Sequence, residues 1–413
     1  MFPVIVAAFT TLLTLAGLVY YLLAMLAARA YLRRALPRPE FAPPVSILKP
    51  LHGLEPGMAE AFAGHCRQEY AGEYEILFGV HSLDDPAVEA VVQLQEDFPE
   101  RAIRLVHCPE VLGANGKVSN VAQLIPHARY DYFVINDSDI YVGPRYLARV
   151  MAPFAPPSAS QAGQPATGLV TALYRGRTHG ANGAGGGTVG SKLEALGIST
   201  DFIPGVLTAR WLDRRLRFGL GSTLAVSRAA LEAIGGLETL ADYLADDYQL
   251  GLRVDAAGFR VELASEVVET TVPAWNFSGF AQHQLRWLRT MRTSRPWGYL
   301  GYLMSFGLAW AFLNLIATGF TLPAFALFCL VLLVRLSLAF GVGVGILGDR
   351  QVARDVWLLL PRDLIGLGLW AWSYASDTVV WGGTRFAVRQ GKLAGANGER
   401  QGAPVEPPPT IQN

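Results

Sequence analysis

Residues 1–28 contain no charged side chain, and Arg29, Arg33, Arg34 and Arg38 follow at once. A stretch longer than the ~20 residues needed to cross a hydrocarbon core must satisfy its own backbone hydrogen bonds there, which makes it a helix. A cleaved secretory signal has an apolar core of only ~7–15 residues and then a cleavage site, whereas this run is longer. Residues 1–32 therefore read as a transmembrane helix, and the arginines at its end place the next part of the chain on the cytoplasmic side. The composition agrees: 51% of the residues are hydrophobic and 16% charged, which is oily for a water-soluble protein.

Between residues 45 and 272 the pattern becomes that of an α/β domain. "VSILKP", "YEILFGV", "IRLVHC" and "YDYFVIN" are short apolar runs separated by amphipathic stretches. That alternation predicts a mostly parallel, doubly wound sheet, with a ligand crevice beyond the carboxyl ends of its strands. The 34 basic and 34 acidic residues cancel, and no basic patch interleaved with aromatics stands out, which argues against nucleic acid as a partner. Cys66, Cys108 and Cys329 are too scattered for a disulfide framework or a zinc cluster and read as reduced core residues. The glycine-dense stretch 177–191 reads as a mobile loop, since no P-loop lysine and serine follow its glycines.

Beyond Pro273 the character changes again. Residues 276–298, with "FAQHQLRWLRTMR", mix apolar side chains with arginines as a helix at a membrane surface does. Residues 302–322 and 323–347 are each long enough to span, and the second carries Arg335 near its middle. Residues 364–380 are interrupted by Asp377 and followed by basic residues, which points to a re-entrant or interfacial segment. The membrane segments thus occupy 301–383, the chain reads as a multi-pass protein in a lipid bilayer, and the glycine- and proline-rich stretch 394–413 reads as a disordered tail.

Three acidic sites recur in the central domain: Asp84 and Asp85 after a strand, Asp137 and Asp139 in "NDSD", and Asp246 and Asp247 in "LADDYQLG". Each pair alone suits a turn or a helix cap. An Asp-x-Asp at a strand end, however, presents oxygen ligands to one hard cation, Mg²⁺ or Mn²⁺, and leaves positions free for phosphate oxygens such as those of a nucleotide diphosphate. Chemistry at such a diphosphate also needs a separate carboxylate to deprotonate the nucleophile, and Asp247, far along the chain from the Asp-x-Asp, is the candidate. Lys117 in "NGKVSN" opens a helical stretch, where a lysine beside a diphosphate is favoured.

The series "VSILKPLHG", "SLDDPA", "GANGKVSNV", "NDSD", "LADDYQLG" and "HQLRW" resembles, in order and spacing, the ceramide glucosyltransferase family and its bacterial relatives that glycosylate hopanoid lipids. The likeness covers most of the chain. It implies a cytosolic glycosyltransferase A-type domain, Rossmann-like with a mostly parallel sheet, held by N- and C-terminal transmembrane helices. It also implies an inverting enzyme that transfers a sugar from a UDP-sugar to a membrane lipid hydroxyl in one displacement. Carried over residue by residue, the resemblance assigns Asp85, with neighbouring Asp84, to the uracil and ribose side of the donor. Asp137 and Asp139 take the diphosphate through metal, and Asp247 takes the acceptor hydroxyl. In the family the last motif has Gln or Arg first, then two free positions, then Arg-Trp; here His283 stands first, with Gln284, Leu285, Arg286 and Trp287 after it. Arg286 then pairs with the leaving diphosphate and Trp287 packs beneath sugar or lipid, while Asp246, His283 and Gln284 belong to acceptor binding or closure. "LVTALYRGR", "LGISTDFIPGVL" and "HQLRWLRTMR" are closer to the hopanoid branch, which implies N-acetylglucosaminyl transfer, with glucosyl transfer to ceramide as the alternative.

Two rivals share part of this pattern. A processive polysaccharide synthase keeps the aspartates but has a larger helix bundle and a Gln-x-x-Arg-Trp motif. A non-catalytic lipid-binding protein has no need of three acidic sites beside strands.

Overall fold

The computed structural model describes residues 2–35, 40–156, 163–178, 187–381 and 384–395. Residues 179–186 of the expected glycine-rich loop, and the expected tail from residue 396, lie outside the described residues.

The central domain is built on strands β1 (Val45–Leu51), β2 (Tyr74–Val80), β3 (Ala102–His107), β4 (Tyr132–Ile135), β5 (Ile140–Tyr141), β6 (Thr167–Thr178), β7 (Leu224–Ser227) and β8 (Arg260–Val272). Among the described residues these form one sheet in the order β3-β2-β1-β4-β7-β6-β8-β5. The run β3-β2-β1-β4 is parallel. β7 pairs antiparallel with both β4 and β6, while β6 and β8 run parallel. β1, β2 and β4 are buried almost throughout, as apolar strands covered on both faces should be.

Connectivity fixes where a ligand can go. The chain winds outward from β1 to β2 and β3, then returns to set β4 on the other side of β1. The carboxyl ends of β1 and β4 therefore flank the point where the winding reverses, the usual crevice in an open α/β sheet. Leu48 pairs with Ile135 across that junction, so Lys49 and Asn136 are the next residues out.

Among the described residues three helices are long and apolar enough to cross a membrane: Phe2–Leu32, Pro296–Ala317 and Leu322–Val344. On the first, Thr10, Thr14, Gly17, Tyr21, Ala24 and Ala28 form a buried stripe, while Val4, Ile5, Phe9, Leu12, Leu15, Val19 and Leu22 are exposed. Small residues let backbones approach in lipid. A Cβ on Gly17 would stand 2.3 Å from the Gly307 Cα, so this crossing admits nothing larger. Polar groups along the stripe find partners on the second span: Tyr21 donates to the Ser305 carbonyl at 2.9 Å, and Thr10 and Thr11 donate to Asn314 Oδ1 at 3.0 and 2.8 Å. Cys66 and Cys108 are buried as expected, but Cys329 is exposed on the third span, because an apolar thiol is as much at home against lipid as in a core.

Arg335, the lone charge read in the last span, is fully buried. It is bound to Asp363 through Nε (3.1 Å) and Nη2 (3.0 Å), to Asp201 at 2.7 Å and to the Thr200 carbonyl at 2.7 Å. Asp201 lies on a π-helical turn, Ile198–Phe202, which leads out of the central domain, and it is also paired with Arg362. This network of two arginines, two aspartates and the Thr200 carbonyl joins the spans to the central domain.

The stretch 364–380 divides between a helix, Leu359–Trp372, and a strand, Thr378–Trp381. That strand opens a meander with Thr384–Arg389 and Lys392–Gly395, which leaves the membrane segment and packs on Leu244 of the central domain. The helix Phe277–Ser294 packs against the meander. Where its mix of basic and apolar residues suggests a helix lying in lipid headgroups, two arginines bond protein instead: Arg289 donates to the Thr378 carbonyl at 2.6 Å, and Arg292 pairs with Asp377.

Candidate active site

The turn after β4 is fixed before it reaches the aspartates. Asn136 is buried and donates to the Ser222 carbonyl at 2.7 Å and the Tyr146 hydroxyl at 2.9 Å, while its Oδ1 meets His65 Nε2 at 3.3 Å. Beneath it, Lys49 reaches up from β1 and donates to the Asp137 carbonyl at 3.1 Å. Burial pushes the Lys49 ammonium down to about 7, against the opposing pull of Asp137 and Asp139.

Asp139 accepts from the Thr270 hydroxyl at 2.7 Å and the Thr271 N–H at 3.0 Å, both on Oδ2. Burial, and then the nearby charge of Asp137, push its carboxyl up to about 6. Asp137 is more open and holds Lys117 Nζ at 2.6 Å on Oδ1.

Lys117 is the hinge of the site. It lies in the first turn of the helix Gly116–Leu124, whose N-cap Asn115 accepts from the Val118 N–H at 3.0 Å. The amide of Asn115 donates to the Tyr243 carbonyl at 2.8 Å, and its backbone N–H donates to the Ala241 carbonyl at 2.7 Å. These bonds tie the helix to the loop that precedes the third acidic pair, and Lys117 Nζ lies 3.9 Å from Asp246 Oδ2. Burial alone would depress this lysine, but Asp137 and Asp246 override it and hold it above its ordinary value.

Asp246 and Asp247 occupy the first turn of the helix Asp246–Ala256, where its positive end favours carboxylates. Asp247 accepts from the Tyr248 N–H at 2.7 Å, and its carbonyl accepts from the Gly219 N–H at 3.1 Å. Gly221 faces Asp247 so closely that a Cβ there would lie 3.4 Å from Oδ2. Burial and then Asp246 push Asp247 up to about 6; burial also raises Asp246, against the pull of Lys117.

The "HQLRW" helix, Phe277–Ser294, brings its motif to the site. Arg286 Nη2 meets His283 Nε2 at 2.7 Å, and His283 Nδ1 meets Glu194 Oε2 at 3.0 Å. A guanidinium can only donate, so the imidazole accepts at Nε2 and donates from Nδ1 to the buried carboxylate. The ring is further held by Trp275, stacked at 5.3 Å, and by Trp287 at 5.1 Å. Trp287 in turn packs on Phe202 at 6.1 Å, directly after Asp201. Burial depresses the Arg286 guanidinium, opposed by Glu194 and then by Asp137, whose charge it feels across the crevice.

The other residues singled out from sequence fare differently. Asp85 accepts from the Gly53 N–H at 3.0 Å and the Ala87 N–H at 2.9 Å, so it shapes the loop after β1. Glu55 of that loop bonds Ser138, which brings the Asp85 loop against the Asp137 turn. Asp84 is exposed and its side chain is not drawn in; Gln284 is half-buried on the helix without joining the Arg286 relay. Lys49 and Glu194 were missed. A lysine inside the apolar run "VSILKP" is a signal that could have found the first, whereas Glu194 has no signature in its helix.

A divalent cation fits the donor set. The bonds to Asp139 leave Oδ1 outside them, Asp137 stands beside it, and a cation would relieve a carboxyl whose burial disfavours its charge. Among the described residues no cluster of three or more candidate ligands occurs. Two carboxylates with the remaining positions left to phosphate oxygens and water is the way Mg²⁺ and Mn²⁺ are commonly held.

A family model described as glycosyl transferase family 21 matches residues 9–394. Ceramide glucosyltransferase 3 of Caenorhabditis elegans is 24% identical over 298 residues, covering 68% of this chain and 59% of that protein. Ceramide glucosyltransferase 1 of the same nematode is 22% identical over 254 residues, covering 62% of this chain and 51% of that protein. The chain thus spans little more than half the length of these curated relatives. Among solved structures, the mannosyltransferase PcManGT from Pyrobaculum calidifontis in complex with GDP-Man and Mn²⁺ has a TM-score of 0.53 at 18% identity, covering 88% of this chain and 98% of that one. At that identity the likeness concerns the glycosyltransferase A-type fold alone.

Proposed function

The chain belongs to glycosyl transferase family 21, and from that premise we propose that it transfers a sugar from a UDP-sugar to the hydroxyl of a membrane lipid, with inversion, on the cytoplasmic face of the membrane. The observation that carries this is Lys117: it contacts Asp137 at the end of β4 and approaches Asp246, so one cation joins the Asp-x-Asp turn to the helix that bears Asp247.

Placement supports a role for each residue. Asp85 holds the loop that frames the nucleoside end. Asp137 and Asp139 would hold Mg²⁺ or Mn²⁺, which when bound supplies charge to stabilise a departing diphosphate. Lys117 and Arg286 add fixed positive charge on either side of that diphosphate, where hydrogen bonds to an anion are strong. Asp247, raised toward neutrality, takes the proton from the attacking hydroxyl. Trp287 and Phe202 form an aromatic wall at the membrane side, suited to a ring of sugar or lipid. A water-soluble donor and a bilayer-bound acceptor have to meet at the membrane surface, and a domain held by spans at both ends keeps the site there. Both nematode relatives bear the name ceramide glucosyltransferase, which supports a lipid acceptor; hopanoid with N-acetylglucosamine is the pairing we favour, ahead of ceramide with glucose.

Membranes containing the full chain, incubated with labelled UDP-glucose or UDP-N-acetylglucosamine and with ceramide or a hopanoid polyol, should transfer label into the lipid phase for one pairing and lose it with EDTA. Label found only as free sugar or as a water-soluble polymer would overturn the reading.

In this chain Arg286 is held by an acceptor at the first motif position, His283 Nε2. His283→Ala should lower kcat by about 10–100-fold, the scale of one charge-assisted hydrogen bond. His283→Gln, whose amide oxygen can accept from Arg286, should restore most of the rate. Equal rates for the two variants would show that the relay does not position Arg286.

A further inference from the structure

A second polar cavity, of about 550 Å³, lies where the last spanning helix re-enters the central domain. Its walls carry Arg175 and Arg177 of β6, Arg350 and Arg354 just beyond the span, and Gln351 and Glu269. Side chains alternate along a strand, so Arg175 and Arg177 face away from the side of β6 that bears Tyr174, which packs on Phe202 of the aromatic wall at 5.6 Å. This cavity is therefore separate from the site above.

We propose that it binds the phosphate of an anionic phospholipid in the leaflet facing the central domain. Four guanidinium groups line it against two carboxylates, Glu269 and Asp349. Both carboxylates are already engaged. Asp349 accepts from the Ser199 hydroxyl at 2.7 Å and the Gln351 N–H at 2.9 Å, and Glu269 takes Arg175 Nε at 3.0 Å, with Arg177 at 3.8 Å. Arg354 is 60% exposed, with its Nη2 3.5 Å from the buried Asp355, and Arg350 is exposed. Gln351 Oε1 accepts from the Thr178 hydroxyl at 3.2 Å, and among the described residues its buried Nε2 has no acceptor, a donor that a phosphate oxygen would satisfy. Arg177 is also held by Glu60 at 3.1 Å, so the positive charge left for a ligand rests mainly on the exposed Arg350 and Arg354, whose guanidinium forks match phosphate geometry and suit an anionic headgroup better than a zwitterionic one.

Position chooses the lipid over a soluble phosphate. Residues 348–354 come directly after the span Leu322–Val344, and Arg175 Nη1 donates to the Leu347 carbonyl at 2.6 Å, which pins the end of the span to the sheet. Trp357, three residues past Arg354, is 66% exposed, as an aromatic ring at headgroup depth would be. The cavity thus opens at the level where the leaflet presents its phosphates.

The test uses the full chain purified in detergent and a fluorescent phosphatidylglycerol, followed by energy transfer from tryptophan. Binding should be saturable and should not be displaced by phosphatidylcholine. Arg350→Gln with Arg354→Gln should weaken it by about 30-fold, at roughly fivefold for each basic residue near an anionic surface. Arg354→Gln alone, at an exposed position, provides the same test at smaller amplitude should the double variant fold poorly. Equal affinity in wild type and variants, or equal binding of phosphatidylcholine, would overturn the proposal. Displacement by millimolar inorganic phosphate as effective as by phosphatidylglycerol would overturn the lipid as the source.

Discussion

Asp247→Asn should leave UDP-sugar binding close to that of the wild type and lower sugar transfer by about 10²–10⁴-fold, the range set by loss of a positioned general base. The substitution is nearly isosteric. The Asn Oδ1 can still accept from the Tyr248 N–H, and the backbone contact to Gly219 does not depend on the side chain, so the helix start and the approach to Lys117 survive. What is lost is the ability to take a proton. The pH profile gives an independent signature. A carboxyl raised to about 6 is protonated below that pH and ionised above it, so the wild-type rate should fall as the pH drops through about 6. The residual rate of the Asn variant should lack that limb. Asp139 is also raised to about 6, and its protonation would weaken donor binding rather than turnover at saturating donor. Measuring kcat and KM separately across pH therefore tells the two aspartates apart. A variant that turns over at the wild-type rate would remove Asp247 as the base.

Much of this architecture was legible because it rests on local patterns. The four apolar runs ending in "YDYFVIN" are strands β1 to β4, since fully covered parallel strands require continuous apolar residues. Asp137, Asp139, Lys117, Asp246 and Asp247 converge because each follows a strand or opens a helix at the same end of the sheet, which topology alone can forecast. Contacts that depend on distant pairing were not legible. Glu194 meets His283 across 89 positions, and nothing in either neighbourhood marks them as partners. The arginines of Phe277–Ser294 have the spacing of a headgroup-facing helix, yet a meander folded from residues 378–395 supplies their partners. Adjacent acids proved unequal for a similar reason: Asp85 is captured by Gly53 N–H, while Asp84, one residue earlier, points to solvent.

The same distinction governs the second large effect, in which Arg335→Met should destabilise the folded protein in detergent by about 3–5 kcal/mol, seen as a lower thermal midpoint. Arg335 was recognisable only as a charge in the wrong place. In the structure it is the shared partner of Asp363 and Asp201, both buried, and it also caps the Thr200 carbonyl. Methionine fills a similar volume, so the loss is electrostatic: Asp201 keeps Arg362, but Asp363 loses the bidentate contact and remains as a buried charge without its main partner. Arg335→Lys should recover little, because one ammonium cannot satisfy Asp363, Asp201 and Thr200 together. Removing the stranded acid as well, in Arg335→Met with Asp363→Leu, should restore much of the lost stability, since an apolar pair of similar volume is often as stable as the ion pair it replaces. The functional consequence travels through one residue: Asp201 precedes Phe202, which supports Trp287 at 6.1 Å. The double variant should therefore be stable yet show an altered KM for the lipid acceptor if the π-helical turn needs Arg335 to hold its place. A single Met variant as stable as the wild type would mean that the network does not couple the spans to the catalytic domain.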